Sequence, residues 1–144
     1  MSKPWQHIKT PHELAFWISW LDQLGDEEIR WIDWQECHSN SEVERSGLSA
    51  LPRLEQARIL AAYELNLKPR VTIDRQAPGS FVLRHDAEDH VRLTEGRSYH
   101  VSELQCRTCM HLLGYRRTFS DKYNVSMSSY HRWRRRLDDL KRIR

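Results

Sequence analysis

The sequence predicts a mostly α-helical protein with a small β hairpin or three-stranded sheet, an α+β fold, because three patterns follow one another along the chain. Apolar residues recur at helical spacing through most of residues 1–68, which also hold most of the tryptophans. Residues 69–97 contain short β-branched and aromatic runs between turn-forming residues. Helical spacing returns in residues 98–144, where basic residues concentrate. We therefore expect a helical body, a β insertion and a basic helical module.

Length and composition indicate one compact globular unit. The chain has 144 residues, of which 39% are hydrophobic and 30% charged, with six Trp, five Gly and five Pro. A disordered chain would hold fewer apolar groups. No apolar run approaches the ~20 residues of a membrane span, and the N-terminus lacks the apolar core of a signal peptide. Three cysteines, an odd number, fit free thiols in a reducing compartment, so we expect a cytoplasmic protein.

Two short helices are expected to form an N-terminal hairpin. Thr10-Pro11-His12-Glu13 has the form of a capping box with proline at the first helical position. Gly25 can end this helix with a left-handed backbone, and Asp26 can cap a second, acidic segment. The apolar face of the first helix comprises Leu14, Trp17, Ile18, Leu21 and Leu24.

A third helix is expected after a polar loop. Residues 38–47 (HSNSEVERSG) are polar and predict the loop. Pro52 then opens a segment with apolar residues at helical spacing. These residues are Leu54, Ala57, Leu60 or Ala61, and Leu65.

The β insertion rests on three short runs. RVTI (70–73) and SFVL (80–83) are separated by a segment that contains a Pro78-Gly79 turn, which predicts a hairpin. HVRL (90–93), which follows the polar HDAED (85–89), predicts a third strand.

A helix is expected again over residues 101–113, with Ser102 as its cap and Gly114 beyond its end. Farther along, Asn124 tolerates the left-handed backbone of a turn, Val125 can fill the angle between two helices, and Ser126 can cap the next helix. Ser120 is small enough for close helix packing. The apolar residues expected in the core of this pair are Phe119, Tyr123, Tyr130, Trp133 and Leu137.

Charge is distributed unevenly along the chain. Residues 115–144 carry ten Lys and Arg against three Asp, a net charge of +7. The other 114 residues sum to −4. This asymmetry indicates a polyanionic partner for the C-terminal segment.

The order of residues around the turn resembles the helix-turn-helix of many bacterial and phage regulators and of transposase DNA-binding domains. Their turns often read Gly-Val-Ser before a helix that contains Arg-Trp, and the resemblance covers roughly thirty residues. The chain departs from the pattern at Asn124, where glycine is usual, and at Ser120, where alanine is usual. The resemblance implies that the helix beginning at Met127 lies in the major groove of duplex DNA.

In such a complex, outward residues of the first turns face base edges. Arg132 and Arg135 have the reach and forked geometry for guanine, Ser128 can hydrogen-bond either strand, and Met127 can touch a thymine methyl. The predicted base-reading residues are Met127, Ser128, His131, Arg132 and Arg135. The predicted phosphate-binding residues are Arg116, Arg117, Ser126, Arg134, Arg136, Lys141 and Arg142.

We therefore expect a sequence-specific transcriptional regulator that acts as a homodimer, because one recognition helix touches only a few base pairs. A Trp-rich N-terminal half before a late helix-turn-helix also resembles the layout of Q-type phage antitermination proteins, which implies a phage-encoded protein that contacts RNA polymerase. One alternative is a DNA-end-binding accessory of a transposase or recombinase. Another is a non-DNA adaptor whose basic helix docks an acidic protein. An RNA stem would also attract the basic segment, although the sequence shows no aromatic stacking surface.

Metal and enzyme chemistry have weaker support in the sequence. His100, Cys106, Cys109 and His111 lie within twelve residues, a combination that can hold zinc. The alternative is that both thiols pack as small apolar groups. The cluster HDAEDH (85–90) is interpreted as a turn. No glycine-rich phosphate loop, nucleophile elbow or metalloprotease helix is present in the sequence, so we expect no catalytic activity.

The tryptophans of the first two helices are expected mainly in the core, because a small body needs large side chains to fill its interior. Four of them exceed what one small face accommodates. Some are therefore expected to form an exposed patch that recruits a second copy or the transcription machinery. These residues are Trp17, Trp20, Trp31 and Trp34.

Overall fold

The computed structural model describes residues 11–143 and, within them, the side chains from Leu14 onward except that of Asn40. The described residues form seven α-helices and one 3₁₀ turn at Leu48–Ala50. The helices are α1 (Pro11–Leu24), α2 (Asp26–Glu36), α3 (Asn40–Ser46), α4 (Arg53–Asn66), α5 (Ser80–Glu95), α6 (Glu103–Leu112) and α7 (Met127–Ile143).

The predicted α+β fold is wrong, because the described residues contain no sheet and only isolated β-bridges. Residues 80–93, interpreted as two strands and a turn, lie within the single helix α5. Its buried residues recur three or four positions apart, which is helical spacing. They include Leu83, Ala87, Val91 and Thr94.

The polar loop expected over residues 38–47 is also wrong, since most of it is α3. Val43 is fully buried and fixes one face of this short helix on the core. The backbone N–H of His38 donates to Glu42 Oε1 at 2.8 Å, which satisfies a donor at the start of the helix.

Five predicted helices are confirmed as α1, α2, α4, α6 and α7. Gly25 separates α1 from α2 with φ +92°, a backbone that favours glycine. Ser102 caps α6 in a capping box with Gln105, as each side chain accepts a hydrogen bond from the other residue's N–H. The capping box expected at residues 10–13 lies outside the described side chains.

The core is organised around α4 and α6. Helix α4 packs on α1, α5 and α6, while α6 also packs on α2, and α7 lies across α5 and α4. All these helices contribute to one buried apolar cluster. Among residues 11–143, none of the helices combines the length and the apolar character needed to cross a bilayer.

A buried carboxylate joins three separate elements. Asp33 of α2 is completely buried and accepts hydrogen bonds from the 3₁₀ turn at Leu48 N (3.0 Å) and Ser49 N (2.9 Å). The hydroxyls of Ser49 and Thr108 donate to the same carboxylate, each at 2.6 Å. This network fixes α2 against the 3₁₀ turn and α6.

Fourteen residues connect α6 to α7, whereas a helix-turn-helix usually has a turn of three or four. Instead of the helix expected before Asn124, the connection forms a narrow hairpin, bridged between Arg117 and Tyr123. Phe119 is fully exposed, so its predicted place in the core is wrong. Tyr123, Trp133 and Leu137 are buried as predicted.

Candidate nucleic-acid interface

The first turn of α7 is fixed to the segment that follows α4. Ser126 Oγ accepts a hydrogen bond from the N–H of Ser129 at 3.3 Å, as expected of a helix cap. The N–H of Ser126 donates to the carbonyl of Lys68 at 2.6 Å, and Lys68 N donates to Ser129 Oγ at 3.1 Å. An antiparallel bridge between Pro69 and Val125 continues this contact. The start of α7 therefore has a defined position on the body.

The inner face of α7 is held by an aromatic cluster. Trp133 is 1% exposed, and its ring packs edge-on against the rings of Tyr63 and His90, with centroids 6.0 Å apart in both pairs. Its indole N–H donates to His90 Nδ1 at 3.3 Å. Burial, followed by the charge of Arg136, lowers the pKa of His90 to about 3, so this ring is neutral at physiological pH.

Ion pairs engage the side of α7 that faces α5. Arg134 contacts the buried carboxylate of Asp86 at 2.5 Å, and Lys141 contacts Asp89 at 3.0 Å. Burial raises the pKa of Asp86, against the opposing effect of the Arg134 charge. Both basic residues were predicted to bind phosphates, but in this structure they pair with α5.

The other predicted phosphate-binding arginines also have protein partners. Arg136 donates to Asn66 Oδ1 at 2.7 Å, and Arg142 pairs with Asp139 one turn away. Arg117 pairs with Glu36 at 3.1 Å and, more loosely, with Asp121. Arg116 donates to the carbonyl of Val71 yet remains exposed.

The outer face of α7 carries the predicted base-reading residues. Ser128, His131, Arg132 and Arg135 are all exposed, and their spacing of three or four residues places them on one stripe of the helix. Met127 is half-buried at the start of the helix. Within the described part of the chain, neither Arg132 nor Arg135 forms an ion pair with a carboxylate. Their guanidinium groups are therefore available to a ligand.

Two cations that the sequence prediction missed lie beside the start of α7. Lys68 and Arg70 flank the bridge at Pro69, and both are exposed. The N–H of Arg70 donates to the carbonyl of Asn124 at 2.9 Å, while its guanidinium lies 3.8 Å from Asp74. No local pattern could identify them, because they approach α7 through pairing of distant segments. We call Lys68, Arg70, Arg116, Arg132 and Arg135 the cationic surface.

The hypothetical zinc ligands do not come together. His100 is exposed and pairs with Glu88 at 3.1 Å, whereas His111 pairs with Glu36 at 2.8 Å. Cys106 and Cys109 are completely buried in α6, and burial raises the pKa of the Cys106 thiol to about 12. No group of three His, Cys, Asp or Glu with a metal-binding arrangement occurs among the described residues. The two thiols instead pack in the core.

The tryptophans of α1 are less exposed to solvent than those of α2. Trp17 and Trp20 of α1 are half-buried against the core, and their rings pack edge-on at 5.6 Å. Trp31 and Trp34 of α2 are 59% and 36% exposed. Part of the expected exposed aromatic surface is therefore present on α2.

Comparison with known proteins gives no relative on which an assignment could rest. No protein-family model matches the chain, and neither the curated proteins nor the solved structures include a match. The chemistry of the cationic surface is therefore the basis for a functional proposal.

Proposed function

We propose that this chain is a DNA-binding protein that places the outer face of α7 in the major groove of duplex DNA. The observation that carries the proposal is the pair of exposed arginines, Arg132 and Arg135, which lie on one stripe of a fixed helix without a carboxylate partner. An α-helix fits the width of the major groove, and an arginine fork matches the two acceptors of guanine.

The surrounding charges support duplex binding. Lys68, Arg70 and Arg116 lie beside the N-terminal end of α7, where they would meet the phosphates that border the groove. In contrast, Asp138 and Asp139 lie farther along the helix, where they pair with Arg134 and Arg142. The N-terminal half of α7 is thus the half that favours a polyanion.

The proposed role is transcriptional regulation in a reducing compartment such as the cytoplasm. Cys37, Cys106 and Cys109 are free thiols, which suits that environment. Two copies of the chain on adjacent half-sites would supply the specificity that one helix lacks.

Replacing both Arg132 and Arg135 by alanine is expected to weaken binding to duplex DNA by about 10- to 100-fold at low salt, because two phosphate or base contacts are lost. On a mixed-sequence duplex, where these guanidinium groups also meet phosphates, the slope of log affinity against log salt concentration should become shallower by about two units. Fluorescence anisotropy of a labelled mixed-sequence duplex across a salt series measures both quantities. The full chain is required, because Trp133 and Leu137 belong to the core.

The matched control removes two exposed arginines from elsewhere on the surface, Arg30 of α2 and Arg45 of α3. This double variant has the same net charge as the first, so general electrostatics predicts equal losses for both. Equal losses would contradict a defined site on α7. The duplex assignment would be overturned if the parent chain bound an RNA stem more tightly than duplex DNA. It would also be overturned if the chain bound an acidic protein but no nucleic acid.

A further inference from the structure

The hairpin that precedes α7 holds an aromatic ring in solvent. Phe119 lies at its tip, and its side chain is fully exposed. The tip is nevertheless well braced, because Thr118 N donates to the carbonyl of Lys122 at 2.8 Å, and Lys122 N donates to Thr118 Oγ1 at 3.1 Å. The position of Phe119 is therefore set by an ordered turn.

Asp121 fixes this tip to the body. Its carboxylate accepts hydrogen bonds from the N–H and the hydroxyl of Ser80, both at 2.9 Å, at the first turn of α5. The residue adopts φ +61°, a left-handed backbone that aspartate tolerates. Gly79 and Asp121 lie so close together that a Cβ added to Gly79 would be 2.0 Å from the carbonyl oxygen of Asp121.

The tip lies beside the N-terminal half of α7. Ser120, Asp121 and Lys122 line a shallow groove of 370 Å³ together with Tyr130 of α7 and Phe81 of α5. Tyr130 is one helical turn from the start of α7 and immediately precedes His131. A duplex seated on the outer face of α7 would therefore extend past the hairpin.

Charged groups of both signs lie near the exposed ring. Lys122 donates to the carbonyl of Arg75, whose side chain is exposed. Phe119 itself lines a groove together with Arg117, Glu36, His38 and His111. Both nearby carboxylates have partners, since Asp121 accepts hydrogen bonds from Ser80 and Glu36 pairs with Arg117. An exposed apolar side chain whose neighbouring carboxylates are already paired suits nucleic acid, which offers phosphates outside and stacked apolar base faces inside.

We propose that the hairpin is a second DNA contact and that Phe119 enters the minor groove as an apolar wedge between base pairs, next to the major groove that holds α7. This inference rests on the proposed function of α7. Phenylalanine wedges in the minor groove unstack a base step and bend the duplex, which brings more protein surface into contact. The fixed, solvent-facing position of the ring requires no rearrangement of the hairpin.

The Phe119→Ala variant tests the wedge. Its affinity for the labelled duplex should fall about 10-fold, a loss within the range measured for aromatic contacts with bases. The salt slope should stay unchanged, because an apolar side chain releases no counterions. Thermal stability should also stay unchanged, since the ring is fully exposed. Phe119→Trp should retain most of the affinity, and Phe16→Ala, at an exposed ring on α1, should behave like the parent chain.

A duplex with scattered 2-aminopurine bases reports unstacking directly. The parent chain at saturation should raise the 2-aminopurine fluorescence, and saturating Phe119→Ala should not. Unchanged affinity and unchanged fluorescence in the variant would overturn the wedge while leaving the role of α7 intact. If Phe119→Ala instead loses self-association in sedimentation velocity while its DNA affinity per protomer stays unchanged, Phe119 contacts a second copy of the chain and the wedge is overturned. Failure of the parent chain to bind duplex would instead be failure of the proposed function.

Discussion

Replacing Asp33 by alanine is expected to lower the free energy of unfolding by about 3–5 kcal/mol, because the buried donors around this carboxylate lose their acceptor. Four hydrogen bonds converge on it from Leu48, Ser49 and Thr108. Water cannot replace them easily, since the carboxylate is completely buried. Urea denaturation followed by circular dichroism measures the change.

Two further variants separate the contributions to this network. Asp33→Asn keeps one acceptor oxygen and should lose less stability than the alanine variant. Ser49→Ala removes one hydroxyl that donates at 2.6 Å and should cost about 1 kcal/mol. A loss below about 1 kcal/mol for Asp33→Ala would show that the network does not hold α2, the 3₁₀ turn and α6 together.

Acidification is expected to destabilise the protein through His90. Its pKa is about 3 in the folded state and 6.5 in an unfolded chain, so the unfolded state takes up the proton first. The stabilisation is complete above pH 6.5 and is lost as the pH falls toward 3. Its full size is on the order of 5 kcal/mol, of which about 2 kcal/mol is lost by pH 5.

The His90→Asn variant isolates this effect, because the asparagine amide oxygen can still accept the Trp133 indole N–H. Urea midpoints of both chains at pH 6.5 and 5 give the comparison. The variant should show a clearly smaller loss over this interval, and equal losses would contradict the assignment. Asp86, whose pKa is raised, acts with the opposite sign. Arg134 and Arg136 stay charged throughout and do not contribute to the difference.

Helices whose signals are local were predictable from the sequence. Ser102 caps α6 with its own neighbour Gln105, and Gly25 ends α1, so short-range chemistry marks both boundaries. Helix α5 was missed because SFVL was interpreted by residue type, while its helical period becomes visible only when Ala87 and Val91 are included. Its first turn is also bonded to Asp121, a distant residue that no local pattern reveals.

The candidate site divides in the same way. Helical periodicity placed His131, Arg132 and Arg135 on one exposed stripe, as the structure has them. The phosphate contacts predicted at Arg134 and Lys141 depended on charge alone, and tertiary packing gave these side chains carboxylate partners on α5. Lys68 and Arg70 come close to α7 because the segment around Lys68 pairs with the segment around Ser126. These segments are far apart in the sequence, so no local pattern could predict the two cations.

The bond between Ser126 and Lys68 means that the arrangement of charges belongs to the folded chain as a whole. A synthetic peptide of residues 127–143 would carry the arginines of α7, but an isolated helix of that length is only marginally stable in water. It would also lack Lys68, Arg70 and the hairpin. Grafting α7 onto another scaffold would therefore transfer its charge without the spatial arrangement of the cations beside it.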